Sequence, residues 1–98
     1  MARLIWTAKA LADLERLLQF IEKDAPVAAR RFAQRVFDRV EQLQQFPHLG
    51  GFVAEDDLRR YREILQGSYR LIYRVEGETI YIVAVHHAAR LLDVTDLD

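Results

Sequence analysis

The part of the sequence that decides the fold is residues 68–87, SYRLIYRVEGETIYIVAVHH. Two apolar, β-branched and aromatic runs flank a Glu-Gly-Glu turn, which predicts a hairpin with strands at residues 69–75 and 79–86. The second strand is apolar on both faces, which is typical of a strand in the middle of a sheet. The histidines at its end, His86 and His87, must point to opposite sides.

The two faces of the first strand of this hairpin differ in character, because alternate residues of a strand share a face. One face suits packing against helices and consists of Tyr69, Leu71, Tyr73 and Val75. The other face carries Arg70, Ile72 and Arg74, and we expect it to be open. Its arginines are then either a docking surface centred on Ile72 or ordinary solvated partners of acids on neighbouring strands. The available acids are Glu63, Glu76 and Glu78.

Helical periodicity precedes the hairpin. One apolar stripe predicts an amphipathic core-facing helix over residues 8–22, with Thr7 as its N-cap; it consists of Leu11, Leu14, Leu18 and Ile21. A second stripe predicts a helix over residues 25–45, with Asp24 as cap and Pro26 in the first turn. Two helices joined by so short a link form an antiparallel hairpin.

Two further β-prone runs, at residues 3–6 and 61–65, complete the set of elements, and residues 51–60 are predicted to be a loop. The order is therefore β-α-α-β-β-β. It predicts an α+β fold in which a helical hairpin packs on a small, mainly antiparallel sheet. Ninety-eight residues favour a single domain, spanning residues 1–98.

The charge balance disfavours direct binding of nucleic acid. The chain has 14 basic and 15 acidic residues, a formal net charge of -1, and 12 of the basic residues are arginine. Nucleic-acid binders usually have a basic excess, whereas arginine suits bidentate contacts with carboxylates, so we expect protein partners. The chain has no cysteine, no signal-peptide pattern and no run that could span a membrane. We therefore expect a cytoplasmic protein without a membrane partner.

The sequence contains no pattern that binds a cofactor or a metal. There is no glycine-rich phosphate loop and no nucleophile with a histidine partner at a recognisable spacing. Two adjacent histidines on a strand cannot both reach one metal ion. A histidine that acts as a general acid or base stays possible, since its pKa lies near neutrality.

Three segments are distinctive as written: IWTAKALADLERLLQFI at residues 5–21, FPHLGG at 46–51 and RYREILQGSYRLIYRVEGETIYIVAVHHAARLL at 60–92. Together they resemble toxins of the ParE/RelE superfamily from bacterial type II toxin–antitoxin systems. The resemblance covers nearly the whole chain and implies the same α+β fold. It also implies a ParD-like antitoxin whose disordered segment folds over the helices and the sheet.

The superfamily has two functional branches, RelE-like ribosome-dependent mRNA endonucleases and ParE-like toxins described as poisons of DNA gyrase. RelE-type enzymes carry basic residues on the strand before the Gly-Tyr-Arg turn, near Tyr61 and Glu63 here, and neither position is a lysine. Glu63 would repel a scissile phosphate. The tail after Arg90 ends in acids, which resembles ParE. The resemblance thus favours a toxin that inhibits DNA gyrase by binding, with no chemistry of its own.

Candidate partner-binding residues follow from this hypothesis. Arginines of the second helix are expected to pair with acids of the antitoxin, and those of the hairpin and tail to form a docking face. The predicted set is Arg31, Arg35, Arg39, Arg70, Ile72, Arg74 and Arg90.

Two alternatives stay open at this point. A RelE-type endoribonuclease would use Arg70 and Arg90 to stabilise the phosphate and His86 or His87 as acid or base, with Tyr61 stacked on a base. A degenerate toxin would act only as a scaffold that binds the antitoxin.

Overall fold

A computed structural model describes all 98 residues and confirms the α+β fold. The helices are α1 (Ala8–Asp24) and α2 (Pro26–Gln45). The strands are β1 (Arg3–Trp6), β2 (Gly51–Phe52), β3 (Arg62–Gln66), β4 (Tyr69–Glu76) and β5 (Thr79–His87), and a 3-10 turn covers Val94–Asp96. Strand β2 lies in the segment that was predicted to be a loop. No helix is long and apolar enough to cross a membrane.

The five strands form one sheet in the order β1-β5-β4-β3-β2. Strand β1 pairs with β5 in parallel, and the other pairs are antiparallel. Strand β5 is therefore flanked on both sides, as its two apolar faces predict. Its register against β4 shifts where Ile72 pairs with Ala84 and Tyr73 with Ile82. This bulge leaves Val83 without a partner, and Val83 and Ala84 both pack on the side away from the helices.

The helix boundaries follow local signals, with one correction. The Thr7 hydroxyl oxygen accepts a hydrogen bond from the Ala10 amide at 3.2 Å, so Thr7 caps α1 as predicted. The prediction that Asp24 caps α2 was wrong, because Asp24 is the last residue of α1. Ala25 occupies the N-cap position without a side-chain hydrogen bond, and Pro26 begins the helix.

A hydrophobic cluster lies on each face of the sheet. The helix-side cluster is built on Ala10, Leu14, Leu17, Val36, Val40, Leu43, Ile64, Leu71, Tyr73, Ile80, Ile82 and Val85. The tail-side cluster consists of Val53, Tyr61, Ile72, Val83, Ala84, Leu92 and Leu97. The helix-side face of β4 was predicted correctly, but Leu11 was wrongly placed in the core: it is 43% exposed.

Candidate functional site

Arg70 is the centre of a buried ion-pair network on the tail side of the sheet. Its Nη1 and Nη2 atoms donate to the two carboxylate oxygens of Glu55 at 3.0 and 2.8 Å, and its Nε donates to Glu63. The same Glu55 carboxylate accepts the backbone amide of Leu92 at 3.1 Å. One arginine therefore joins strand β3, the loop after β2 and the C-terminal tail.

The electrostatics of this network favour the charged forms of its members. The Arg70 hydrogen bonds lower the pKa of Glu55 to about 2, against the opposing effect of burial. Glu55, and then Glu63, in turn raise the pKa of Arg70. The prediction that Arg70 lies on an open face was wrong: only 6% of the residue is exposed, since the tail and the loop cover it.

The other two residues of the predicted open face are also covered. Ile72 is completely buried in the tail-side cluster, so it cannot form the centre of an exposed surface. The Arg74 side chain is 27% exposed and donates to Asp98 at 2.8 Å and to Glu76 at 2.6 Å. Its guanidinium carbon also lies 4.1 Å from the centre of the Tyr81 ring. Arg70 does pair with Glu63 of the neighbouring strand, but the other acids come from the loop (Glu55), from the same strand (Glu76) and from the tail (Asp98).

The C-terminal tail is the element that closes this face. Leu92 and Leu97 insert into the tail-side cluster, and the Asp98 carboxylate accepts from Arg74 and from the Tyr61 hydroxyl, the latter at 2.5 Å. Burial opposes ionisation of Asp98, but these hydrogen bonds outweigh it and lower its pKa. Tyr61 is 3% exposed, so the expectation that it stacks on a base was wrong.

The arginines of α2 form a different kind of surface. Arg31 and Arg35 are exposed and Arg39 is half-buried. None of the three forms a salt bridge, and Arg39 instead donates to the Gln42 side chain at 2.9 Å. On another face of α2, a shallow groove of about 270 Å³ runs between the helices, lined by Leu18, Glu22, Pro26, Ala29, Arg30 and Ala33. These cations are available to a partner.

A cleft of about 360 Å³ opens between α1 and the ends of β4 and β5. Its polar and aromatic lining consists of Asp13, Arg16, Phe20, Tyr69, His86, His87 and Arg90. Asp13 holds the wall together, because it accepts from Lys9, from Arg16 and from the backbone amide of Val85. The cleft therefore combines two exposed guanidinium groups with the His87 imidazole and two aromatic rings, whereas His86 pairs with Arg70 and its side chain lies on the other face of the sheet.

The imidazoles of His86 and His87 are both tied to the chain that follows them. His86 Nε2 lies 3.1 Å from the Arg90 carbonyl oxygen and donates to it, since a carbonyl can only accept. His87 Nδ1 accepts the Ala89 amide at 3.0 Å, and its ring meets Tyr69 edge-on at 5.1 Å between centroids. Each histidine has one ring nitrogen engaged and one left for other contacts.

The three residues of the predicted catalytic alternative are not brought together. Arg70 pairs in register with His86, and His87 pairs with Tyr69, so Arg70 and His87 lie on opposite faces of the sheet. Only His87 and Arg90 line the cleft, and Arg70 is held by its two glutamates. No group of three His, Asp or Glu side chains is arranged to hold a metal ion.

Sequence reasoning missed the residues that organise the tail side, above all Glu55 and Asp98. Their contacts join positions 15 and 24 residues apart in sequence, which no local pattern reveals. A signal was present at Glu55, inside the acidic triplet Glu55-Asp56-Asp57. When an acidic run comes before an apolar strand whose arginines have no evident partner, the acids of that run are candidate partners for those arginines.

Comparison with known proteins gives consistent matches. Residues 4–92 match the family model described as "ParE toxin of type II toxin-antitoxin system, parDE". The chain is 35% identical over 91 residues to "Toxin RelE2" of Caulobacter vibrioides, which covers 93% of this chain and 100% of the relative. It is 32% identical over 88 residues to "Putative toxin Y4kP" of Sinorhizobium fredii, with 88% of each chain covered.

Two solved structures have the same fold. The "Chromosomal ParDE TA system from P. aeruginosa" contains a chain that superposes with a TM-score of 0.73 at 26% identity, covering 89% of this chain and 96% of that one. The toxin–antitoxin complex RelBE2 from Mycobacterium tuberculosis gives a TM-score of 0.61 at 25% identity, with 88% and 96% covered. The proteins that are similar to this chain therefore include some named ParE and some named RelE.

Proposed function

This chain belongs to the ParE toxin family of type II toxin–antitoxin systems, and we propose that it inhibits DNA gyrase by binding and is neutralised by a ParD-like antitoxin. The cytoplasmic location expected from the sequence is part of the same proposal. In this mechanism the toxin contributes a binding surface and performs no bond-breaking step. The proposal needs no cofactor and no metal.

The observation that carries the proposal is the state of Arg70. In the endonuclease alternative this arginine stabilises the charge on a scissile phosphate, which requires a cation that is accessible and not already neutralised. Here Glu55 takes both terminal nitrogens and Glu63 takes the third, in a site that is nearly closed to solvent. A phosphate that approached Arg70 would meet the carboxylates of Glu55 and Glu63, which would repel it. This arrangement supports a toxin that acts by binding.

An antitoxin partner is supported by the two similar structures, which are described as a ParDE system and a RelBE2 toxin–antitoxin complex. On this chain, Arg30 lines the interhelical groove, and Arg31 and Arg35 are exposed and unpaired on the same helix. An antitoxin segment with acidic side chains can pair with these arginines while its apolar side chains enter the groove. Arg39 and Arg90 are the remaining accessible members of the predicted partner-binding set.

Replacing Arg31 and Arg35 together by Glu should weaken antitoxin binding in a calorimetric titration by about tenfold or more, since each exposed pair is worth up to about 1 kcal/mol. Arg3→Glu on the outer strand β1 is the matched control, because Arg3 is also exposed and forms no salt bridge. Equal affinities for the double variant and the control would remove the α2 arginines from the proposed antitoxin site.

A second candidate function, a RelE-type endoribonuclease, is favoured by one observation, the cleft beside α1. Two guanidinium groups, the His87 imidazole and a tyrosine around about 360 Å³ are the groups that hold a nucleotide phosphate and move a proton. The relatives named RelE2 and RelE3 also point in this direction. Its residues would be Arg16, His87 and Arg90, without Arg70.

The deciding experiment is induced expression in growing bacteria with parallel pulse-labelling of DNA and protein synthesis. An early fall in DNA synthesis with translation intact is expected for a gyrase inhibitor, and purified gyrase should then lose supercoiling activity on addition of the toxin. An early collapse of translation would overturn this function in favour of the endonuclease. A His87→Ala, Arg90→Ala variant should then lose toxicity.

A third outcome of the same experiment is informative. If DNA synthesis, protein synthesis and growth all continue while the antitoxin still binds, the chain is a degenerate toxin that serves as a scaffold. The antitoxin titration and the labelling experiment therefore test the partner and the target separately.

A further inference from the structure

A surface that the proposed function does not use lies at the β2 end of the sheet. It consists of Phe52, Arg59 and Arg62, and we call it the edge surface. Phe52 is 44% exposed. The guanidinium carbons of Arg62 and Arg59 lie 4.1 and 5.4 Å from the centre of the Phe52 ring. An exposed aromatic ring is thus flanked by two cations.

The backbone holds Arg59 in place through a turn built around Asp56. The buried Asp56 carboxylate accepts three backbone amides, from Leu58 at 3.3 Å, Arg60 at 2.6 Å and Tyr61 at 3.0 Å. Burial alone would raise the pKa of Asp56, but these hydrogen bonds outweigh it and lower the pKa. Within this turn Arg59 adopts a φ of 53°, a left-handed conformation that is uncommon for any residue other than glycine.

Arg62 is fixed by different contacts. Its Nη1 atom donates to the carbonyl oxygens of Gly50 at 2.8 Å and His48 at 3.5 Å, which orients the guanidinium across the Phe52 ring. Neither Arg59 nor Arg62 forms a salt bridge. Both cations are therefore positioned in advance but not neutralised, so a ligand would not bear the full entropic cost of ordering them.

The edge surface borders a concavity and the end of the sheet. A hollow of about 400 Å³ is lined by Phe52, Val53, Ala54, Asp56, Asp57 and Arg59. Strand β2 has β3 on one side and no strand on the other, so its outer edge is free. Exposed arginine and aromatic side chains around a hollow are the composition of energetically important spots in protein interfaces.

We propose that the edge surface is a docking site for an acidic, extended segment of a partner protein. Carboxylates of the segment pair with Arg59 and Arg62, and an apolar side chain between them packs on Phe52. The segment lies along the free edge of β2, as peptides do on other open sheet edges. The site is separate from the α2 arginines and does not depend on which target the toxin inhibits.

Charge favours a protein segment over nucleic acid. The chain carries a net charge of -1, and exposed Asp57 lines the same hollow as Arg59. A phosphate backbone would need several cations in a row. The edge surface offers two, and the fork of a guanidinium group matches a single carboxylate in a bidentate pair.

The test is an NMR titration of the ¹⁵N-labelled chain with a synthetic eight-residue peptide that alternates glutamate with valine or leucine. We expect saturable shifts at the amides of Gly51, Phe52 and Arg59, weakened by salt, and no response to the same peptide with lysine in place of glutamate. Shifts centred on Arg31 and Arg35 would overturn the proposal. Tighter binding of a single-stranded oligonucleotide at the edge surface would overturn it in favour of nucleic acid.

Two variants make the test independent of folding. Arg59→Glu should weaken the peptide about tenfold, since it replaces an attractive pair by a repulsive one. Arg59→Gly removes the guanidinium and also suits the left-handed backbone, so it should fold at least as well and still lose affinity. Arg3→Glu, at the opposite edge of the sheet, is the control and should bind as the unmodified chain does. Unchanged affinity in Arg59→Gly would refute the site.

Discussion

The two faces of the sheet are covered in different ways. On the helix side, α1 and α2 bury an apolar cluster in which Leu14, Val36 and Leu43 meet the strands. On the tail side, an irregular loop and the C-terminal segment bury a smaller cluster. Arg70 and Arg74 secure this second cover through ion pairs with Glu55, Glu63 and Asp98.

The difference shows how a small sheet can close a face without a further helix. A segment of eleven residues with two apolar anchors, Leu92 and Leu97, gains little from the hydrophobic effect alone. Ion pairs that are shielded from water then fix where the segment lies, although they add less to stability than their number suggests. The tail side should therefore respond to loss of one charge, and the helix side to loss of apolar volume.

Of the substitutions considered, Arg70→Met should lower the free energy of unfolding the most. The substitution keeps much of the side-chain volume but leaves Glu55 and Glu63 facing each other without a cation. Removing one partner from a buried pair costs about 3 to 5 kcal/mol, and the free energy of unfolding in urea should fall by that amount. A triple variant that adds Glu55→Gln and Glu63→Gln is the control and should recover much of the loss.

A loss below about 1 kcal/mol in Arg70→Met would mean that the network is solvated and not structural. The comparison also bears on function. If Arg70 acts only through the fold, the triple variant should regain toxicity along with stability. A stable triple variant without toxicity would assign Arg70 a direct role.

The helix side could be predicted from sequence because its signals are local. The stripes on both helices and the alternation in Tyr69, Leu71 and Tyr73 are periodic, so each residue supports its neighbours. Leu11 was the exception: it keeps the helical spacing but is 43% exposed, whereas Leu17, which was not in the predicted stripe, is buried. The two-residue strand β2 is too short to give any periodic signal.

The tail side could not be predicted because its contacts are distant in sequence and polar. An arginine on a strand looks like a solvated charge unless its partners are known, and Arg70 finds one of them 15 residues away. Leu92 and Leu97 are five residues apart, a spacing that fits neither a helix nor a strand. The resemblance to known toxins supplied the fold, but it did not reveal that this face is covered.

Replacing one buried leucine on each face by alanine tests whether the helix side and the tail side differ in stability. Leu43 is fully buried on the helix side and Leu97 is 2% exposed on the tail side. Leu43→Ala should lower the global free energy of unfolding by about 3 kcal/mol. Leu97→Ala should cost less, about 2 kcal/mol, because the cost cannot exceed the free energy of releasing the tail.

Hydrogen exchange distinguishes the two leucine variants. In Leu97→Ala the amides of Leu92 and Leu97 should exchange faster while those of the helices keep their protection. In Leu43→Ala the exchange rates that depend on global unfolding should rise throughout. Equal and uniform effects of both variants would show that the two faces unfold as one unit.

A glycine pair tests the junction between the loop and the sheet. A Cβ atom on Gly50 would lie 2.5 Å from the Glu63 carbonyl oxygen and 2.8 Å from the Tyr73 hydroxyl, which accepts the Gly50 amide at 2.9 Å. Gly50→Ala should therefore destabilise the fold by about 2 kcal/mol in thermal or urea unfolding. Gly51→Ala meets nothing within 4 Å and should change stability by less than about 0.5 kcal/mol. Equal effects would show that the junction can relax.

The smallest expected effect is the acid response of the tail. Since Arg70 lowers the pKa of Glu55 from 4.5 to about 2, the folded state prefers the ionised carboxylate. That contribution is complete above pH 4.5 and is lost as the pH falls towards 2. Because the Glu55 side chain is 22% exposed, we expect a loss on the order of 1 kcal/mol.

The Leu92 amide reports this titration directly, because it donates to the Glu55 carboxylate. Its NMR shift should titrate near pH 2, and the titration should be absent in Glu55→Gln. Fluorescence of Trp6, which packs against the helix-side cluster, should stay constant while the tail begins to move. A Leu92 midpoint near 4.5 would mean that Arg70 does not hold Glu55, and the contacts of Asp98 with Arg74 and Tyr61 would then be the polar contacts that hold the tail.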